Sequence, residues 1–501
     1  MMPPLYIIPL CVAVPLGGAF LTALLGRRVP VLAPLLGVIA SALLLGLSIL
    51  SVRLTFEQGV LVYPVGGWPP PAGISMVLDG LTAFMLVTVN LVGFLVVVFC
   101  LNYVNQFTAR WNFYVLFLLM AAGMNGVIVT GDLFNLFVFL EIAAVASYGL
   151  VAFGTEKHAL EAAFKYAVMG TLGSLCILLG IVMLYAGTST LNMADMARVL
   201  ALREPGALTG FVSVLFLMGF GMKAAAVPFH AWLPDAHPSA PAPISAMLSG
   251  VLIKALGVYA LCRVIFNVLG ASPRILSVLL FLGGLSMVAG VFLAIGQWDL
   301  KRLLAYHSIS QIGYVLLGIG LGTPLGIMGG LFHLLNHSLF KSLLFLDSGV
   351  IEYATGTRDL KEMGGLRTKL PVTGATTLVA SLSIAGIPPF NGFWSKLLII
   401  VAAIQAQRYG YAFWAVLASV LTLASFMKVM RYAFFGRLNT RWNTITEPPF
   451  FMKLSLVVLA TLCVLGGLLV LPQARDAFLG LASDAITNGR EYVEVTLTQA
   501  R

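Results

Sequence analysis

Long uninterrupted apolar runs constrain this chain more than any other feature. A bilayer-spanning helix needs about 20 consecutive, mostly apolar residues, and such runs follow one another from residue 5 to residue 471. Their cores lie near 5–25, 30–51, 78–101, 113–130, 132–153, 161–187, 208–226, 242–266, 275–296, 302–321, 325–350, 372–405, 411–434 and 452–471. Composition agrees, since 60% of the 501 residues are hydrophobic and 10% are charged, against about 25% charged in a soluble globule. The runs do not alternate with period two, as the strands of a membrane β-barrel would. The pattern predicts an all-α polytopic membrane protein of fourteen transmembrane helices. The run 372–405 is too long for one straight crossing, and Pro388-Pro389 interrupts it.

The first run carries no basic residue before Arg27, so it lacks the positive leader of a cleaved signal peptide and reads as a retained helix. Arg27 and Arg28 follow it directly, which places the first connection in the cytoplasm by the positive-inside rule. Across the connections, fourteen lysines and arginines, Lys301 among them, fall on the side assigned inside and six, Arg263 among them, fall outside. Both termini are then expected on the outer side of the inner (plasma) membrane. The net charge of +10 is accounted for by this topology rather than by nucleic-acid binding. The five cysteines stand alone, and neither a P-loop nor a Rossmann glycine pattern is present. The sequence therefore implies no disulfide framework, metal site or nucleotide cofactor.

Ionisable residues at membrane depth are expensive, at about 2.5–3.5 kcal/mol each on insertion scales, and are functional by default. Seven stand out: Glu141, Lys165, Lys223, Lys254, Lys341, Lys396 and Lys428. Six are lysines, and a buried lysine can release its proton near neutral pH where arginine cannot. Within "LFHLLNHSLFKS", His333, His337 and Lys341 recur every four residues. At about 100° per residue they stay on one helix stripe, and imidazole both donates and accepts protons near pH 7. A haem held by two histidines is the competing idea, and His307 on the preceding run is the partner it would use. Prolines crowd the stretch from Pro228 to Pro243, beside His230, and Pro388-Pro389 precede Lys396. Broken helices at membrane depth mark ion sites in transporters.

The lysines also act as a ruler for duplication. Lys165, Lys223 and Lys254 are offset from Lys341, Lys396 and Lys428 by 176, 173 and 174 residues. We therefore expect two five-helix repeats, residues 111–268 and 269–436, flanked by helices one to three at 1–110 and by helix fourteen with a tail at 437–501. An odd number of helices per unit inverts one repeat relative to the other. The same offset carries Glu141 close to Tyr314, so the second repeat has no matching acid.

The segments "DLFNLFVFLEIAAVASYG", "MKAAAVPFHAWLPDAHPSAPAPISAMLSG", "DLKRLLAYHSISQIGY", "HLLNHSLFKSLLFL" and "GIPPFNGFWSKL" resemble the signature blocks of a known family. It comprises the antiporter-like subunits of respiratory complex I, energy-converting membrane-bound hydrogenases and Mrp-type cation/proton antiporters. The resemblance covers spans four to thirteen. It implies Glu141 and Lys223 as a paired acid and lysine, Lys254 as the connecting lysine, His333, His337 and Lys341 as a central relay, and Lys396 as the terminal residue. Lys165, His230, His307 and Lys428 are secondary candidates. "DLFNLFVF" resembles the Mrp D-type subunit, whereas "AYHSIS" and "TGTRDLKEMGGL" resemble hydrogenase-associated members. Lys396 stands where the complex I subunit of similar size has glutamate.

The function implied is proton translocation, with sodium as a further candidate ion, by one subunit of a multisubunit membrane complex. Its partners would be further antiporter-like subunits and the lipid bilayer. The chain shows no catalytic centre or cofactor of its own, so energy must come from a partner oxidoreductase or an opposing ion gradient. Alternatives are a self-sufficient cation/proton antiporter, a quinone-reactive redox subunit and a passive scaffold.

Overall fold

The fold is given by a computed structural model that describes residues 4–203 and 206–499. Apolar runs become helices because a chain in lipid must satisfy its backbone polar groups internally. In order they are α1 (Ile7–Leu25), α2 (Leu32–Gln58), α3 (Gly80–Tyr103), α4 (Arg110–Val129), α5 (Leu133–Val151) and α6 (Lys157–Thr188). A lateral helix α7 (Met193–Ala201) leads to α8 (Ala207–Ala224), the short α9 (Leu233–Ser239) and α10 (Ala242–Leu269). Then follow α11 (Pro273–Ile295), α12 (Leu300–Gly320), α13 (Pro324–Thr355), α14 (Pro371–Ala385) and α15 (Asn391–Gln405). The chain closes with α16 (Tyr409–Phe434), α17 (Phe450–Val470), α18 (Leu481–Thr487) and α19 (Gly489–Gln499).

Among the described residues twelve helices are long and apolar enough to cross a membrane. The 32-residue α13 is not one of them, because its histidines, Lys341 and Asp347 dilute its apolar character. The run 372–405 resolves into the shorter apolar helices α14 and α15, parted at Gly386–Phe390. Elements outside the predicted runs include α7, α18, α19 and an antiparallel ribbon of β1 (Leu61–Pro64) and β2 (Ser75–Leu78), with Leu61 opposite Leu78. Its glycine- and proline-rich turn falls in the gap between apolar runs.

Helices α10, α12 and α13 are buried along nearly their whole length, while α1, α2, α6, α16 and α17 present large apolar side chains such as Phe20, Leu43, Phe164, Phe413 and Phe450 outward. Apolar outer surface of that extent suits a lipid solvent and not water. Small residues bring the inner helices close: a Cβ on Gly313 of α12 would collide with the Met287 nitrogen of α11.

Two residues counted as loop charges sit inside the protein instead. Arg263 donates to both Asp79 oxygens at 2.6 and 2.8 Å, and its guanidinium lies 4.9 Å from the Tyr492 ring centroid. Asp79 also caps α3 by accepting the Thr82 N–H at 2.8 Å. This cluster ties α3, α10 and α19 together, and Arg263 was misread because it ends an apolar run. Lys301 is likewise buried, 2.6 Å from Glu352. Without these two the basic residues divide thirteen to five, and the asymmetry stands.

Candidate functional site

The site begins where α8 breaks. Ala225 adopts a left-handed conformation with φ 55°, its N–H and that of Ala226 fold back onto the last turn, and the Trp232 indole donates to Met222 O at 3.0 Å. The freed backbone is therefore satisfied inside protein, as a break at membrane depth requires. Lys223, the penultimate residue of α8, lies at the negative end of that helix, where a cation is favoured. Its ammonium is 3.7 Å from Glu141 Oε1 on α5, with side-chain exposures of 4% and 30%. That separation is an ion pair beyond hydrogen-bond reach. The Ser174 hydroxyl of α6 donates to the same Glu141 oxygen.

From there the row passes to α10. A Cβ on Gly257 would lie 2.5 Å from the Ala224 nitrogen, so α10 packs directly on the broken end of α8. Over Leu248–Tyr259 the helix is wound in wide π-type turns, a departure often found at functional sites. The fully buried Lys254 donates to the carbonyls of Ser249 and Gly250 in its own helix at 2.5 and 2.7 Å. Ser249 shares a 2.6 Å hydroxyl contact with Ser308 of α12.

The centre is α13. His333, His337 and Lys341 are fully buried, and the two imidazole centroids lie 6.4 Å apart. His333 contacts Ser395 Oγ at 2.9 Å and Gln311 Oε1 at 3.2 Å, whereas His337 and the Lys341 amine have no hydrogen-bond partner among the described residues. Lys341 lies 5.5 Å from the Phe345 ring, on which His237 stacks at 4.5 Å.

The far end lies at the second break. Lys396 on α15 donates to Ile384 O at 2.7 Å, a carbonyl left open where α14 stops, and to Ser419 Oγ at 3.2 Å. Its ammonium sits 4.7 Å from the Tyr314 ring centroid. Tyr314 in turn is 5.4 Å from the His333 ring. Lys396 also lines a cavity of about 200 Å³ with Gly386, Ile387, Val416, Ser419 and Leu423.

Of the predicted residues, Glu141, Lys223, Lys254, His333, His337, Lys341 and Lys396 thus line adjoining elements. The secondary candidates do not all join them. Lys165 stands at the surface, 49% exposed, paired with Glu161 at 2.9 Å and Asp235 at 3.2 Å. Lys428 donates to Ile295 O and Gln297 O at 2.7 and 2.6 Å and closes the end of α11. His230 is half-buried in the break after α8. His307 contacts Ser425 Oγ at 2.8 Å and packs on Phe426. His333 has both ring nitrogens engaged and His307 its Nε2, whereas His307 Nδ1 and both nitrogens of His337 have no hydrogen-bond partner among the described residues. His237 and Asp347 were overlooked although each is ionisable and fully or almost fully buried. His237 was hidden among the prolines, and Asp347 lay in plain view within the run 325–350.

The chain resembles known proteins in both sequence and fold. The transmembrane family described as NADH:quinone oxidoreductase/Mrp antiporter matches residues 130–422. The chain is 34% identical over 466 residues to the D-type Na(+)/H(+) antiporter subunit of Alkalihalophilus pseudofirmus, covering 92% of this chain and 94% of that one. It is 38% identical over 377 residues to the N-type NADH-quinone oxidoreductase subunit of Desulforudis audaxviator, covering 74% and 75%. A chain of the Mrp complex from Dietzia sp. superposes with a TM-score of 0.91 at 28% identity, covering 99% of this chain and 100% of the other.

Proposed function

The chain belongs to the NADH:quinone oxidoreductase/Mrp antiporter transmembrane family, and from that membership we propose that it conducts protons along Glu141, Lys223, Lys254, the α13 relay and Lys396. It is an ion-translocating membrane subunit of the kind that works within a multisubunit complex. The observation that carries the route is the central row itself. Lys254, His333, His337 and Lys341 are all 0% exposed, and none of them pairs with a carboxylate within 4.0 Å among the described residues. Fixed charges so placed would be strongly destabilising, whereas groups that exchange protons need not all be charged together.

The Glu141–Lys223 pair supplies the control. At 3.7 Å and an effective dielectric near 20, such a pair is worth about 4 kcal/mol. Moving a proton against 100 mV requires about 2.3 kcal/mol, so separating the pair is large enough to matter. An ammonium that loses its carboxylate gives up its proton more readily, and Lys254 is the next acceptor. Lys396, facing its own cavity, is the outlet. Sodium is the second candidate ion, since the D-type relatives are Na(+)/H(+) antiporters by name.

We further read fourteen crossings, counting α13 as one and α14 with α15 as one broken crossing. The arrangement supports two inverted five-helix units at 111–268 and 269–436, because each contains one broken helix with a lysine at the break. Both termini are assigned to the outer side by the basic loops. Helix α14 enters from the basic, inner side and α8 from the opposite one, as inversion requires.

Expression of the chain alone in antiporter-deficient vesicles separates a complex-bound role from a lone transporter. We expect cation-driven proton movement only when the other subunits are present; full activity from the single chain would contradict that expectation. Within the assembled complex, Lys341→Met should stop proton movement, and transport at the wild-type rate would remove α13 from the route.

A further inference from the structure

We propose that Asp347 is the proton-loading carboxyl of a second access path, which runs along the seam between α13 and α14 from Glu447 to His333. It rests on the reading of His333 and Lys396 as parts of a proton route. Asp347 is 1% exposed, one oxygen accepts the Thr376 hydroxyl at 2.8 Å, and the other has no hydrogen-bond partner among the described residues. Among the described residues no lysine, arginine or histidine lies within 4.0 Å of it. A structural role accounts poorly for this placement. Thr376 is already satisfied by the carbonyls of Val372 and Thr373 at 3.1 and 3.0 Å, and Asp347 closes no helix end. An ionisable side chain inside a membrane helix is a functional-site hypothesis by default, and proton relays are among the roles such carboxyls fill.

Polar side chains continue from Asp347 in both directions. Toward the loop before α17, the Thr373 hydroxyl donates to Glu447 Oε2 at 3.1 Å, and Glu447 Oε1 accepts the N–H groups of Val372 and Thr373 at 2.6 and 3.3 Å. Glu447 is thereby held over the first turn of α14. Thr376 also lines a largely apolar crevice of about 470 Å³ between α14 and α17. Toward the site, Ser381 carries a buried hydroxyl with no hydrogen-bond partner among the described residues. Ser383 then donates to Asn391 Oδ1, and Asn336 donates to Asn391 O at 3.0 Å. Asn336 and Asp347 are eleven residues apart on α13, which returns them to one helix face within about 20°. Ser395, one turn beyond Asn391, contacts His333 at 2.9 Å. The seam thus ends on a member of the proposed relay, and water must bridge its gaps.

The test is made on the assembled complex in sealed vesicles, reading the initial rate of proton uptake from the Glu447 side against pH. Asp347→Asn should slow uptake about a hundredfold. Asp347→Glu should restore it to within about tenfold with a displaced pH profile, which a packing role would not produce. The protonated-carboxyl infrared band should disappear in Asp347→Asn and move in Asp347→Glu. Should Asp347→Asn fail to insert, Thr376→Val with Ser381→Ala carries the test and should slow uptake by about tenfold. Wild-type rates and an unchanged pH profile in these variants, with Lys396→Ala inactive, would overturn the second path and leave the relay standing. If Lys396→Ala and Lys223→Ala also transported normally, the relay reading would fail, and this proposal with it.

Discussion

The two breaks hold their lysines by different means. Lys223 belongs to the helix that breaks and faces a carboxylate, Glu141, at 3.7 Å. Lys396 comes from the helix after the break and reaches back to the open carbonyl of Ile384, with the Tyr314 ring 4.7 Å away where the repeat offset would place an acid. Both ammonium groups occupy the negative end of a helix. Among the described residues only the first has a carboxylate within 4.0 Å. On the proposed route, control belongs to the Lys223 end, where separating the pair would change proton affinity, and release to the Lys396 end, where neutral dipoles and a ring surround the ammonium.

This difference can be broken at either end. The largest effect is expected from Lys223→Ala and Lys396→Ala, each of which removes a carrier and should lower proton flux in vesicles of the assembled complex by at least about a hundredfold; flux near wild type in either one would dissolve the comparison. Next comes Glu141→Gln, which deletes an interaction worth about 4 kcal/mol and should cost about a hundredfold in coupled transport. Tyr314→Leu removes a cation–π contact worth about 0.5–2 kcal/mol, so transport should fall only about three- to thirtyfold. If Tyr314→Leu proved as severe as Glu141→Gln, the neutral ring would be acting as more than a holder. The smallest loss belongs to Ser419→Ala: the Ile384 carbonyl remains, and one hydrogen bond of about 0.5–1.5 kcal/mol is lost. A stopped-flow comparison of the two release rates would resolve it.

Much of the architecture was readable in advance because uninterrupted apolar length is a direct consequence of bilayer thickness. That Lys223, Lys254 and Lys396 lie buried, with Glu141 beside the first, was legible for the related reason that charge at depth is rare. What spacing alone could not supply was direction. Lys165 has the offset of a relay lysine, yet it sits near the start of α6 four residues after Glu161, and its side chain goes to the surface. Arg263 looked like a loop residue until its partner, Asp79, arrived from 184 positions away in sequence. Such a partner has no local signature. Its loss should be plain in stability: Arg263→Met would leave Asp79 buried and uncompensated, at a cost of about 3–5 kcal/mol, measurable as a lowered thermal midpoint in detergent. Asp347 was missed for another reason, because the histidines and Lys341 on the same run drew the reading to one stripe of α13.

The whole route depends on these amines exchanging protons instead of serving as fixed charges, and arginine separates the two roles because it keeps its charge and does not release its proton. The decisive experiment is proton flux through the assembled complex carrying Lys223→Arg or Lys396→Arg, in membranes where the variant is inserted at the wild-type level. Both variants should fall to the background of the corresponding alanine substitutions; flux at the wild-type rate in either arginine variant would show that the amine is a fixed charge and not a carrier.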